Sequence, residues 1–180
     1  MISSKYDWQF ATNFTDEKFL KKAKKAGLEP AAASLLYQRG VQTEEALQEF
    51  LEPSLDLLHD PYDLHDMERA VERIRSAIEN YEQILIYGDY DADGMTSASI
   101  VKEALEQLGA ECQVYLPNRF TDGYGPNSSV YKYFIENQGI SLIITVDNGV
   151  AGLEAIELAQ SLGVDVIVTD HHSMPEELPN

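Results

Sequence analysis

The chain has 180 residues, thirteen of them Lys or Arg and thirty-one Asp or Glu, for a formal net charge of −18. That balance argues against broad electrostatic adhesion to nucleic acid or an anionic membrane, so any action on a phosphodiester needs cations, or a basic surface elsewhere, to neutralise phosphate. The 44% hydrophobic content is that of an ordinary globular protein, the single cysteine, Cys112, excludes an internal disulfide and a thiolate zinc site, and no apolar run approaches the roughly 20 residues that span a bilayer.

The opening segment, MISSKYDWQF, is too polar for a signal peptide, and the expected setting is cytoplasmic. Trp8 is expected to anchor this segment against the core. A helix is expected in TDEKFLKKAKKAGL, capped by Thr15 and carrying lysines toward its end. Gly27, Pro30 and Gly40 punctuate the next stretch. TEEALQEFLEP opens on Thr43 as a cap and sets Leu47, Phe50 and Leu51 on one face. His59 and His65 lie between helices and are assigned structural roles. DMERAVERIRSAIENY, from Asp66, places Val71, Ile74 and Ile78 at helical spacing.

Near residue 80 the character changes. QILIYGD (83–89), CQVYLP, SLIITVD (141–147) and VDVIVTD (164–170) read as strands. Helices are expected between them in SASIVKEALEQLG, NSSVYKYFIENQG and GLEAIELAQSLG. Continuous Ile, Val and Leu runs separated by glycine-tipped helices indicate strands covered on both faces, hence a parallel sheet in an α/β fold with helices on both sides. The expected division is a helical region over 1–80 and the α/β domain over 81–180.

Three of these strands run into aspartate, in IYGD, ITVD and IVTD. Ligands of open parallel sheets bind outside the carboxyl ends of the strands. That rim gathers Asp89, Asp91 and Asp93, then Asp147, then Asp170, His171 and His172. One aspartate at a strand end ordinarily caps the next helix. Several together, with two histidines, point to a metal site, because carboxylates about 6 Å apart repel by about 3 kcal/mol at an effective dielectric near 20 and a cation reverses that sign. Oxygen and imidazole donors suit manganese, magnesium, iron or zinc, and the carboxylate excess tilts the choice to manganese or magnesium. D-x-D-x-D-G also begins a calcium-binding loop, but the twelfth residue from Asp89 is Ile100 and a strand, not a helix, precedes it. Phosphate-loop, dinucleotide-binding and serine-elbow motifs are missing.

DYDADG, VDNG and DHH, in this order and each after a strand, resemble motifs I to III of the DHH phosphoesterase family. The D-Y-D-A-D-G form, with RFTDGYG downstream, resembles that family's single-strand-specific exonucleases. LLYQRGVQTEEALQEFLEP and DPYDLHDMERAVERI resemble their flanking segments, so the likeness covers nearly the whole chain. It implies a metal-dependent 5′-to-3′ exonuclease of single-stranded DNA, active in DNA repair and recombination, with a pair of manganese (or magnesium) ions. Carried over residue by residue, it implies Asp91 and Asp93 as ligands, Asp147 as the bridging carboxylate and His171 as a further ligand, these four being the catalytic set. Asp89 is either a ligand or a group that orients its loop. Asp170 and His172 are ligands, substrate contacts or supporting groups. Arg119 is a candidate phosphate contact, against a solvated loop arginine, and Tyr124 a candidate base-stacking ring, against a packing role. Gly94 is expected to permit a tight turn after the strand, with a helix beginning close to the metals.

The resemblance also implies recruitment by single-strand-binding protein and a RecQ-type helicase. The family's fourth aspartate motif, its DHH-associated domain and an OB domain do not occur within these 180 residues. The chain is therefore expected to be an amino-terminal piece with weak or absent activity on its own. Alternatives are another DHH enzyme acting on oligonucleotides, cyclic dinucleotides or pyrophosphate, a non-catalytic scaffold, or a metal-stabilised structural domain. The other enzyme branches carry a histidine where Tyr87 stands, four residues before Asp91, and the intact motifs weigh against a scaffold.

Overall fold

In a computed structural model the described residues are 16–178; Trp8 and Thr15 lie outside them. They divide by packing into two units, one ending at Pro61 and the other beginning at Tyr62. No helix among them is long and apolar enough to cross a membrane.

The first unit holds α1 (Glu17–Lys25), α2 (Pro30–Gln38) and α3 (Glu44–Leu51). Asp16 caps α1, accepting from the backbone N–H groups of Lys18 and Phe19 at 2.9 Å. Thr43 caps α3 as expected, accepting from Ala46 at 3.1 Å. Phe19, Ala23, Ala33 and Leu47 form a small buried core, with Tyr37 set edge-on to Phe19. Phe50, expected on the face of Leu47, is 58% exposed.

The second unit begins with α4 (Met67–Glu79) and continues β1 (Gln83–Tyr87), α5 (Ala92–Gln107), β2 (Glu111–Tyr115), α6 (Ser128–Gln138), β3 (Ile140–Val146), α7 (Leu153–Ser161) and β4 (Asp165–Thr169). The strands form one parallel sheet in the order β2-β1-β3-β4. Alternation along the strands sends successive side chains to opposite faces. Leu85, Tyr87 and Ile143 pack with Tyr131 of α6 and Ile156 of α7. Ile84, Ile86, Leu142 and Ile144 pack with Ala98 and Leu105 of α5 and Ala77 of α4. Both faces are thus covered, which is why the strands read as unbroken apolar runs.

That packing corrects the expected division at residue 80. Ala77 is buried in the same core as Ile84 and Ile86, so α4 belongs with the sheet. Arg73 fastens it there: its Nε donates to Asp165 at 2.5 Å, and its Nη2 donates to Glu82 at 2.6 Å and to the Ser141 carbonyl at 3.3 Å. One arginine thereby ties together the amino ends of β1, β3 and β4, leaving their carboxyl ends to form the rim.

Candidate metal centre

Every expected ligand lies just beyond a strand of this sheet, and the three loops differ in how they hold their carboxylates. After β1, Asp91 caps α5, its Oδ1 accepting from the Gly94 and Asp93 N–H groups at 3.0 Å. These bonds, Gly94's foremost, hold its carboxyl below the usual range. The cap starts α5 at Ala92, earlier than the expected SASIVKEALEQLG. Asp89, only 2% exposed, is pushed the other way, first by burial and then, against the Tyr90 N–H bond it accepts, by the charges of Asp91 and Asp147. Gly94 has no positive φ, so the expected turn is not its reason. A Cβ there would lie 2.5 Å from the Asp89 Cα, so the glycine lets α5 press against the β1 loop.

After β3, Asp147 takes the left-handed φ of 62°, uncommon outside glycine. Its N–H donates to the Thr169 carbonyl of β4 at 3.0 Å. Its Oδ1 lies 2.8 Å from His171 Nε2, and its buried Oδ2 has no hydrogen-bond partner among the described residues.

After β4, Asp170 spends both oxygens on its surroundings. Oδ2 accepts from Val150 N–H at 2.9 Å; Oδ1 accepts from the backbone N–H groups of His171 and His172 and lies 2.8 Å from His172 Nδ1. Burial alone would raise this carboxyl, but the donors, led by the His172 and Val150 N–H groups, bring it below the usual range. The Asp170 bond in turn raises the His172 imidazole.

Possible ligand atoms of Asp89, Asp91 and Asp147 lie within 4.8 Å of one another, and so do those of Asp147, His171 and His172. Asp147 is common to both groups. Asp93 and Asp170 are in neither, but both line a cavity of about 470 Å³ together with Asp147 and His171. Among the described residues no Lys or Arg pairs with any of these carboxylates.

Arg119 and Tyr124 stand on a loop fixed by Asp122, whose Oδ2 accepts from Asn118 N–H and Tyr115 O–H at 2.7 Å. The Tyr124 hydroxyl lies 3.3 Å from His172 Nε2, which brings this loop to the carboxylate rim. His59 and His65 are both exposed in segments outside the rim.

Two residues of the site went unnoticed in the sequence. Tyr90 sits between Asp89 and Asp91, and the Arg119 guanidinium lies over its ring at 5.5 Å. Asn148 is buried, and its Nδ2 donates to the Tyr87 carbonyl at 3.2 Å and to the Val146 carbonyl at 3.0 Å. It therefore pins the ends of β1 and β3, and with them Asp89 and Asp147. Asn148→Ala should lower manganese affinity about tenfold, the range for groups that orient ligands, in a calorimetric titration that leaves the number of sites unchanged.

Residues 83–180 match the DHH family, N-terminal domain. Over its whole length the chain is 42% identical to the single-stranded-DNA-specific exonuclease RecJ of Bacillus subtilis (strain 168), covering 23% of that protein. With the protein of the same name from Escherichia coli (strain K12) it shares 39% identity over 155 residues, 86% of this chain and 26% of the relative. The chain thus spans about a quarter of the length of these relatives. The fold is similar to a crystal structure of RecJ in complex with Mn2+ from Thermus thermophilus, with a TM-score of 0.60 and 29% identity over 90% of this chain and 22% of that one. A crystal structure of an exonuclease RecJ bound to manganese gives a TM-score of 0.61 and 32% identity over 65% of this chain and 30% of that one.

Proposed function

This chain belongs to the DHH family, and we propose that its rim holds a pair of manganese ions as part of an enzyme that hydrolyses phosphodiester bonds of single-stranded DNA. The observation that carries the proposal is Asp147. It is shared by two groups of possible ligands, and one of its buried oxygens has no donor. A buried acceptor without a partner costs about 1–3 kcal/mol, more when charged, and a cation removes that penalty.

The donor set therefore fits divalent cations. Asp89, Asp91, Asp147, His171 and His172 would hold them, with Asp147 bridging and Asp93 supplying a further carboxylate from the cavity wall. Bound there, the metal would supply Lewis-acid charge against a phosphoryl oxygen and a water of lowered pKa. The chain's own residues position and select. Asp170 directs the two imidazoles through four hydrogen bonds from their backbone and ring nitrogens and from Val150. Arg119 offers its guanidinium to a backbone phosphate, and Tyr124 offers a face to a base. Attack from the 5′ end, the place in DNA repair and recombination, and recruitment by single-strand-binding protein and a RecQ-type helicase rest on the resemblance alone, whereas a cytoplasmic setting is an expectation from the composition.

A chimera tests this directly, with these 180 residues replacing the matching quarter of the Bacillus subtilis relative. It should degrade single-stranded but not duplex DNA in manganese, and lose that activity on Asp147→Asn. A folded chimera that cleaves only pyrophosphate or cyclic dinucleotides, or none of these, would overturn the assignment. The 180-residue chain alone should show weak hydrolysis or none.

A further inference from the structure

We infer that Tyr90 is a positioning residue for Arg119, holding its guanidinium where a backbone phosphate reaches it; this rests on the phosphate role proposed for Arg119. Tyr90 is half-buried between two carboxylates, Asp89 and Asp91, and its N–H donates to Asp89 Oδ1 at 2.7 Å, so its backbone belongs to the metal loop. Its ring serves the neighbouring loop instead. Arg119 lies over it at 5.5 Å, and Tyr124 meets it edge-to-face at 6.4 Å. Both candidate substrate contacts thus rest against one ring that is fixed to the rim.

The choice of an aromatic partner is informative. The chain has thirty-one acidic residues, yet among the described residues Arg119 forms no ion pair. A carboxylate would occupy the guanidinium's N–H donors and cancel its charge. A ring attracts the cation through its quadrupole and leaves those donors for a phosphate. In a chain of net charge −18, a neutral ring holds this cation without taking up its charge. Asp122 supports the arrangement from the other side by fixing the loop through Asn118 and Tyr115.

The test is the salt dependence of binding to a hydrolysis-resistant phosphorothioate oligodeoxythymidine, by fluorescence anisotropy at fixed manganese. Each phosphate contact contributes about 0.7 to the slope of log affinity against log salt for a single strand. Arg119→Ala should lower the slope by about 0.7, and Tyr90→Leu should lower it by the same amount. The double variant should lower it no further, and Tyr90→Phe, which keeps the ring, should match the wild type. Tyr90→Met stands in should the leucine variant fail to fold, and unchanged manganese affinity certifies the rim in either. Weaker binding at an unchanged slope in Tyr90→Leu would overturn the inference, since it would place the ring against a base or in packing only. A double variant additive in slope would overturn it as well. An unchanged slope in Arg119→Ala would instead remove the phosphate role of Arg119, and the positioning role of Tyr90 with it.

Discussion

Asp147→Asn should weaken manganese binding by about 100-fold or more, measured by isothermal calorimetry, because even groups that only support a ligand are worth about 10–100-fold. Asp147 stands in both groups of possible ligands, so its loss should be felt by both cations of the proposed pair, whereas Asp91→Asn or His171→Ala removes a donor from one group. Asparagine is the informative replacement. It tolerates the left-handed backbone that Asp147 adopts at φ 62° and keeps an oxygen toward His171. The metal-free variant should melt at the wild-type temperature or above it, since the substitution removes charge from a buried oxygen that has no donor. A carboxylate serving only the fold would behave oppositely, and a clear fall in the metal-free melting temperature would rule against a ligand role. Manganese at about 100 times its Kd should stabilise the wild type by about 2.7 kcal/mol. For a chain of this size that is roughly 5–10 °C in Tm. The variant should show almost none of it.

The same site gives a pH dependence with a definite sign. Burial, first among its causes, raises the Asp89 carboxyl, so the metal-free fold is favoured where Asp89 is protonated and loses that contribution as pH rises through the raised pKa. Asp91 is lowered, so its contribution is present at neutral pH and lost only as pH falls through its folded value. Cation binding needs both ionised. The His172 imidazole must also be neutral, so manganese affinity should decline on acidification first as this raised imidazole takes a proton, and His172→Asn should shift that onset to lower pH. Of the two carboxylates, Asp89 protonates before Asp91.

The sheet and its rim were legible because their cause is local. Strands covered on both faces must be apolar at every position, and a parallel topology brings their carboxyl ends, with Asp89, Asp147 and Asp170, to one side. The allegiance of α4 was not legible: the helix is rich in charge, and what assigns it to the sheet is the burial of Ala77 and the reach of Arg73 to Asp165. Asn148 escaped notice for the same reason, since its bond to the Tyr87 carbonyl joins residues far apart in the chain. Asp91 was expected as a ligand and also caps α5, two roles one carboxylate can fill because the N–H groups take only Oδ1. Local pattern reveals what a residue is made for when its partners are neighbours, and hides it when they arrive with the fold.

Gly94→Ala should be a damaging single-methyl change at the metal loop. Taken alone, alanine in place of glycine inside a helix gains about 1 kcal/mol in helix propensity. Gly94 has no positive φ to oppose that gain, so on propensity the substitution would stabilise. The added Cβ would lie 2.5 Å from the Asp89 Cα and 2.6 Å from its Cβ, distances at which atoms must move. The obstacle includes backbone of the metal loop, held between β1 and α5, so it cannot swing aside as a side-chain tip would. Overpacking of this kind costs about 1–3 kcal/mol or more, which exceeds the propensity gain. A net loss of about 1–2 kcal/mol would lower Tm by roughly 2–8 °C in a calorimetric melt. Because the displaced atoms carry Asp89 and adjoin Asp91, manganese affinity should fall as well. Gly88→Ala is the matched control. Its Cβ would first meet the Leu116 δ-methyl at 2.7 Å, the mobile end of a side chain, with the Gly94 carbonyl at 3.1 Å, so it should cost less in stability and leave manganese binding nearer the wild type. If Gly94→Ala instead melts at or above the wild-type temperature with metal affinity intact, the close approach of α5 to the Asp89 loop is not what holds the rim together.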